Sequence, residues 1–201
     1  MKIKVCGMKN KENIEALENV SEVDFIGHIF AEKSPRFIGN NVVQSNLPSF
    51  GVFVNASQQE IEKATSAFDL SFIQLHGDES PEFSKAINET LKPVVKVISI
   101  SKKEDFHKTS DYEGCCTYFL FDTKTNLRGG SGKKFDWSLI NEYNGKTPFF
   151  LSGGIHIEDV KAIEKIKHPL LYGIDINSGF EIEPGLKNIE LIKSFAKQIK
   201  A

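Results

Sequence analysis

The chain has 201 residues, of which 40% are hydrophobic and 26% charged, and its formal net charge is −2 at pH 7. This composition is typical of a globular protein with one buried core, and the mixed charges argue against a nucleic-acid partner. No apolar run approaches the ~20 residues of a membrane span and no apolar leader precedes the first strand, so we expect no membrane partner.

Short apolar runs rich in Val, Ile and Phe alternate with longer amphipathic segments along the chain. Because these runs are continuously apolar rather than alternating, they are typical of parallel strands covered by helices. Eight strands are predicted, at Ile3–Cys6, Phe25–Phe30, Phe50–Asn55, Phe72–His76, Val94–Ile100, Tyr118–Asp122, Phe149–Ser152 and Leu171–Asp175.

Helix signals lie between most of these strands. Ser57 and Glu60 form a capping box, and Ser80 places a cap before a proline at the first helical position. The last helix has one apolar face at helical spacing. Helices are predicted at Ile61–Phe68, from Pro81, at Lys102–Lys108, Asp136–Tyr143, Glu158–Lys167 and Asn188–Lys200. The segment Phe37–Gln44 has the weakest helix signal, and irregular structure is the alternative.

Alternating strands and helices can form an open doubly wound sheet or a closed eight-stranded barrel. Eight strands without an obvious seam favour an α/β fold of the (β/α)8 TIM barrel type, as a single domain over residues 1–201. Polar residues at the strand ends favour the same fold, because such barrels build their active sites there. These residues are Cys6, Asn55, His76, Asp122, Ser152 and Asp175.

The cysteine and histidine content bears on compartment and metal binding. The chain has 3 cysteines, of which Cys115 and Cys116 are adjacent and unsuited to pair with each other. A disulfide framework is therefore not expected, and a cytoplasmic location fits best. The 5 histidines show no ligand spacing, so we predict no metal.

Several short motifs occur together and in one order. They are Lys4-Val5-Cys6-Gly7-Met8, Ser34-Pro35-Arg36, Gln74-Leu75-His76-Gly77, Phe121-Asp122-Thr123, Gly129-Gly130-Ser131-Gly132, Ser152-Gly153-Gly154 and Asp175…Ser178-Gly179…Glu181. In these motifs the chain resembles the phosphoribosylanthranilate isomerases of tryptophan biosynthesis. The resemblance implies an isomerase without a cofactor, whose partner is a phosphorylated small molecule. The implied reaction turns N-(5-phosphoribosyl)anthranilate into 1-(2-carboxyphenylamino)-1-deoxyribulose 5-phosphate.

The resemblance makes Cys6 and Asp122 the catalytic residues. Cys6 would remove the C2′ proton of the ring-opened substrate, as a thiol whose pKa nearby positive charge tunes toward the working pH. Asp122 would protonate the ring oxygen, which requires a carboxylic acid kept neutral by apolar surroundings. From the residues alone, Cys6 could instead be a small buried apolar residue. Asp122 could equally cap a helix or pair with Lys124 or Arg128.

Two pairs of small residues follow consecutive strands where many barrels bind phosphate. They are Gly153 with Gly154 and Ser178 with Gly179, and glycine allows the backbone to approach an anion closely. A tight turn is the alternative interpretation of either pair. Asp175 is expected to order its loop or to act near the reacting carbon rather than to contact the phosphate.

Three further residues complete the predicted substrate site. By resemblance, Arg36 pairs with the aromatic carboxylate through its planar guanidinium, whereas the alternative is a solvated loop charge. His76 either lines the pocket or is a hydrogen-bonded structural residue. Gly130 belongs to a glycine-rich loop with the flexibility of a lid.

Two rival functions are open at this stage. Another sugar-phosphate isomerase could share the barrel, although the aminoaldose isomerases of histidine biosynthesis typically use paired aspartates where this chain has Cys6. A phosphate-ligand binding protein that lost activity would have no need of Cys6 together with Asp122. Fold alone does not separate these options, and the oligomeric state is expected to be a monomer or a homodimer.

Overall fold

The computed structural model describes residues 1–39, 42–123 and 135–201. Within them, eight strands form one closed barrel in which each strand pairs in parallel with the next and the last pairs with the first. The strands are β1 (Lys2–Cys6), β2 (Phe25–Ile29), β3 (Ser49–Phe53), β4 (Phe72–Leu75), β5 (Val94–Ile100), β6 (Tyr118–Thr123), β7 (Phe149–Leu151) and β8 (Leu171–Ile176). The closed barrel predicted from the sequence is confirmed.

Helices surround the barrel, and a small hairpin follows it. The α-helices are α1 (Lys11–Glu18), α2 (Gln58–Phe68), α3 (Pro81–Thr90), α4 (Val160–Glu164) and α5 (Ile189–Lys200). Segments of 3₁₀ helix occupy Lys103–Tyr112, Trp137–Glu142, Ile157–Asp159 and Ser178–Phe180. After β8, β9 (Glu181–Glu183) and β10 (Leu186–Lys187) form an antiparallel pair.

The capping signals read from the sequence are confirmed. Ser57 accepts a hydrogen bond from the Glu60 N–H, and the Glu60 carboxylate accepts one from the Ser57 N–H at 2.7 Å. Ser80 caps α3 with Pro81 in the first turn. Each such cap stabilises a helix by about 1 kcal/mol because it satisfies an N–H that the helix leaves unpaired.

One helix escapes the sequence-based prediction, and three predicted helices need correction. α1 was not predicted, although Asn10 caps it by accepting from the Asn13 N–H at 2.8 Å. The helix predicted at Phe37–Gln44 is wrong in its described part, because Phe37 pairs with Ile29 in a β-bridge. The segments after β5 and before β7 are 3₁₀ rather than α-helical.

The barrel interior is solid at its amino-terminal end. A layer of four aromatic side chains comes from the even-numbered strands, as is usual in this fold. These are Phe25, Phe72, Tyr118 and Tyr172, and they pack edge-on or stacked against Phe50 and Phe150 above them. Burying one such phenylalanine contributes about 1.5–3 kcal/mol. Polar side chains in the barrel interior therefore lie toward the carboxyl ends of the strands.

Candidate active site

The carboxyl ends of the strands bring four predicted residues to one mouth of the barrel. Cys6 ends β1, His76 directly follows β4, Asp122 lies near the end of β6 and Asp175 lies on β8. The His76 Nε2 and Asp122 Oδ2 atoms are 3.5 Å apart. Residues separated widely in the sequence thus meet because parallel strands end on the same side.

Cys6 is buried, and two ammonium groups interact with its thiol. Lys4 precedes it by two residues on the same face of β1, and Lys187 reaches it from β10. Burial raises the pKa of Cys6, Lys4 and Lys187 lower it, the Asp175 carboxylate raises it further, and the net direction is upward. Positive charge is therefore present near the thiol as expected, but it lowers the pKa of Cys6 by less than burial raises it.

A buried polar layer lies below Cys6. Lys4 Nζ donates to Asp175 Oδ1 and to Gln74 Oε1, both at 2.9 Å, and lies 5.1 Å from the centre of the Phe50 ring. Burial disfavours a charged Lys4, but Asp175 and Cys6 together outweigh burial and raise the pKa of Lys4. Burial also raises the pKa of Asp175, against the opposing effect of Lys4. Lys4 is thus held as an ammonium inside the barrel.

Asp122 has polar neighbours rather than the apolar surroundings expected. Its Oδ1 accepts a hydrogen bond from the Thr123 N–H at 2.8 Å, and its Oδ2 faces His76. The flanking Phe119 and Phe121 pack in the core outside the barrel. The carboxyl group is therefore held by one backbone hydrogen bond and faces the His76 imidazole at the mouth.

The loops after β7 and β8 pack closely enough to require glycine. Gly153 and Gly154 have φ of +95° and +67°, a region that side chains rarely adopt. A Cβ on Gly153 would lie 3.0 Å from Asp122 Oδ1, and one on Gly179 would meet the Ile155 carbonyl oxygen. Ser178 starts the 3₁₀ turn that follows β8. Gly153 therefore serves a tight turn and also brings backbone close to Asp122.

Arg36 is not a solvated loop charge. It is 8% exposed, and its guanidinium makes a two-pronged contact with Glu181, from Nε at 2.9 Å and from Nη2 at 2.6 Å. Burial opposes ionisation of Glu181, but Arg36 and Lys187 lower its pKa to about 2. Glu181 therefore fixes the plane of the Arg36 guanidinium before any ligand binds.

Lys187 is a site residue that the sequence analysis missed. Its side chain is fully buried, and Nζ donates to Asn177 Oδ1 at 2.6 Å and to Glu181 Oε1 at 2.7 Å. Burial lowers the pKa of Lys187, although Glu181 opposes this effect. The sequence holds little sign of this role, because a lysine after a Pro-Gly turn usually points into solvent.

Gly130, the predicted lid residue, lies outside the described residues. Among the residues outside the two gaps, no group of three or more His, Cys, Asp or Glu side chains could hold a metal ion. None of the described helices is long and apolar enough to cross a membrane.

Comparison with known proteins identifies relatives along the whole chain. The family model for N-(5'-phosphoribosyl)anthranilate (PRA) isomerase matches residues 3–198. The N-(5'-phosphoribosyl)anthranilate isomerase of Parabacteroides distasonis is 45% identical over 207 residues, covering 99% of this chain and 93% of its own.

Two solved structures support the same relationship. One, of monomers generated from the dimeric phosphoribosylanthranilate isomerase of Thermotoga maritima, is 31% identical with a TM-score of 0.83. The other is a phosphoribosylanthranilate isomerase in complex with reduced 1-(o-carboxyphenylamino)-1-deoxyribulose 5-phosphate, 30% identical with a TM-score of 0.83. Each alignment covers 100% of this chain and 98% of the other.

Proposed function

The chain belongs to the N-(5'-phosphoribosyl)anthranilate isomerase family, so the resemblance seen in its motifs is confirmed, and we propose that Cys6 and Asp122 carry out its reaction. It is an isomerase of tryptophan biosynthesis. Its substrate is N-(5'-phosphoribosyl)anthranilate, and its product is 1-(2-carboxyphenylamino)-1-deoxyribulose 5-phosphate. The observation that carries the assignment of residues is the placement of a thiol and a carboxyl group at one mouth of the barrel.

The reaction needs one acid and one base. Asp122 gives its proton to the ring oxygen as the bond from that oxygen to C1′ breaks, which leaves an iminium at C1′ and a hydroxyl at C4′. The Cys6 thiolate then removes the proton from C2′, and that electron pair forms the enolamine double bond. Tautomerisation to the ketone completes an isomerisation, and solvent returns the proton gained by Cys6 to Asp122. Such proton transfers contribute about 10²–10⁴-fold each.

The charges around Cys6 favour this role. The ammonium groups of Lys4 and Lys187 both lower the pKa of the thiol and so stabilise the thiolate when it forms. Both ammonium groups are held in place by buried salt bridges, Lys4 to Asp175 and Lys187 to Glu181. The base therefore works beside two fixed ammonium groups, whose effect on the thiol is partly offset by the Asp175 carboxylate.

Two further contacts orient the substrate. The backbone around Gly153, Gly154, Ser178 and Gly179 takes the phosphate, where the lack of side chains allows close approach. Arg36 takes the carboxylate of the aromatic ring with the edge of the guanidinium that Glu181 leaves open. Anchoring both ends of the substrate holds the C2′ carbon near Cys6, and this positioning lowers the barrier to the reaction.

The assembly and location follow from the same assignment. A relative is described as dimeric and also as monomers, and for this chain we propose a monomer or a homodimer in the cytoplasm. We assign no cofactor and no nucleic-acid partner.

One experiment tests the function directly. The purified protein should consume N-(5'-phosphoribosyl)anthranilate, seen as decay of the anthranilate fluorescence. Its gene should also restore growth without tryptophan to a strain lacking this step. Failure of both, with a folded protein, would leave the binding-protein alternative. Turnover of the histidine-pathway aminoaldose alone would favour the rival isomerase.

A further inference from the structure

A line of polar side chains crosses the barrel interior from Lys4, whose ammonium interacts with the Cys6 thiol, to Asp122. Lys4 Nζ contacts Gln74 Oε1 at 2.9 Å, and Gln74 Nε2 contacts His76 Nδ1 at 3.4 Å. On the other side of the ring, His76 Nε2 faces Asp122 Oδ2 at 3.5 Å. Gln74 is 1% exposed, so water does not compete for its amide group.

The Lys4 ammonium group fixes which atoms along this line donate hydrogen bonds and which accept them. An ammonium group can only donate hydrogen bonds, so the Gln74 atom that meets Lys4 must be the carbonyl oxygen. The amide nitrogen, which can only donate, is then left to meet His76 Nδ1. That ring nitrogen must accept, and a neutral imidazole that accepts at Nδ1 carries its proton on Nε2.

We propose that Gln74 is a positioning residue that holds the His76 ring with a bare Nδ1 and with its proton on Nε2, directed at Asp122. His76 then offers Asp122 a hydrogen-bond donor on every turnover, both before and after the carboxyl group gives up its proton. Lys4 fixes the direction of the hydrogen bonds from Gln74 to His76, and its ammonium also interacts with the Cys6 thiol. One buried ammonium group thus acts on the proposed base directly and on the proposed acid through Gln74 and His76. The kinetic part of this inference rests on the proposed function.

Two other histidines supply an internal reference. His28 Nδ1 lies 2.9 Å from the Met8 carbonyl oxygen, and His156 Nδ1 lies 2.7 Å from the Gly154 carbonyl oxygen. A carbonyl can only accept, so both rings carry a proton on Nδ1. Burial lowers the pKa of His28, against its hydrogen bond to Met8, so this ring stays neutral at and above neutral pH.

Nitrogen NMR of protein labelled with ¹⁵N at histidine tests the proposal without substrate. At a pH of about 8, where a histidine with its usual pKa is neutral, His76 should show a bare Nδ1 and a protonated Nε2, the reverse of His28. In Gln74→Glu the carboxylate still accepts from Lys4 but cannot donate, so His76 Nδ1 should gain a proton. In Gln74→Met, which keeps the side-chain size, His76 should lose its preference for one tautomer.

Kinetics of the same variants test the positioning role. Gln74→Glu and Gln74→Met should each lower kcat by at least about tenfold, the size of effect seen when an orienting partner is lost, with little change in KM. Gln58→Met is the matched control, because this exposed glutamine contacts only Glu62 among the hydrogen bonds of the described residues.

The outcomes separate this inference from the function. A wild-type His76 with its proton on Nδ1, or a Gln74→Glu protein whose Nδ1 stays bare, overturns the proposal whether or not the protein is active. A change of tautomer with unchanged kcat rejects the positioning role. If the wild-type protein lacks the activity, the tautomer measurements still decide whether Gln74 orients His76.

Discussion

The Lys4 and Cys6 side chains both rest against the bare backbone of Gly27 on the neighbouring strand. A Cβ at Gly27 would lie 3.0 Å from Cys6 Sγ and 3.2 Å from Lys4 Cε. The absence of a side chain on β2 therefore creates the space in which an ammonium and a thiol lie side by side. This arrangement makes Cys6 more than a buried apolar residue.

Replacing Cys6 by alanine should lower kcat by at least about a hundredfold, because it removes the group proposed to take the C2′ proton. Asp122→Asn should do the same through loss of the acid. Both changes are small, so thermal unfolding should shift little. Cys116→Ala is the matched control: burial raises the pKa of this second buried cysteine to about 12, which keeps it an inert thiol. A near-normal kcat in either active-site variant would show that its assigned role is wrong.

Gly154→Val should weaken binding at the phosphate end of the substrate. The side chain would occupy the space for the anion, and the φ of +67° is strained for valine. Inorganic phosphate should compete less well with substrate, so its inhibition constant should rise. Gly114→Val is the control, since it shares a positive φ of +76° in open space before β6. Unchanged phosphate competition in Gly154→Val would place the phosphate elsewhere.

Arg36→Lys should raise KM for the anthranilate substrate. Lysine keeps the charge but loses the planar fork, which Glu181 orients in this protein. Binding of a ribose phosphate without the aromatic ring should barely change. The KM for the substrate and the inhibition constant of the ribose phosphate should both be measured. If binding of both ligands weakens equally, Arg36 serves the phosphate or the fold rather than the aromatic carboxylate.

Asp105→Asn should lower the free energy of unfolding at neutral pH by about 1.5–3 kcal/mol, the usual range for hydrogen bonds to a charged group. The Asp105 carboxylate accepts from the Ser101 N–H, Ser101 Oγ and Lys102 N–H, and so starts the 3₁₀ segment after β5. Although burial opposes it, these bonds lower the pKa of Asp105 to about 2.

The sign of the pH dependence follows from that pKa. Because it is lower in the folded state than its usual value of 3.8, the stabilisation is complete above about pH 4–5 and is lost as the pH falls toward 2. Urea unfolding of wild type and variant at pH 7 and pH 3 should therefore show a difference that shrinks in acid. The exposed Asp111→Asn variant is the control, and a difference independent of pH contradicts the argument.

The sequence was informative where the signals are local. Strand runs, the Ser57 and Ser80 caps and the polar strand ends all depend on neighbouring residues, and all agree with the structure. The buried layer below Cys6 could not be predicted in the same way. Lys4 meets Gln74 across 70 residues and Asp175 across 171 residues, and one sequence holds no record of such pairings.

The 3₁₀ segments show a second limit. Asp136 caps the segment Trp137–Glu142 as a helix start should, by accepting from the Ser138 N–H at 3.0 Å. The cap therefore marked the correct start, but it does not distinguish a tight 3₁₀ turn from an α-helix. That choice is made by the packing of the segment against the barrel.

The pairing of β1 with β8 has a consequence for folding. Lys4 lies opposite Asp175 in the register of these two strands, and Cys6 stands at the same seam. The first and last strands of the barrel must therefore dock before the thiol acquires its surroundings. Pairing β1 with β8 closes a loop that contains most of the chain. This step should come late in folding, because the chain loses conformational entropy before the contacts between the two strands stabilise it. During refolding, enzymatic activity should thus lag behind the gain of helical signal, and its appearance reports the moment at which the barrel closes.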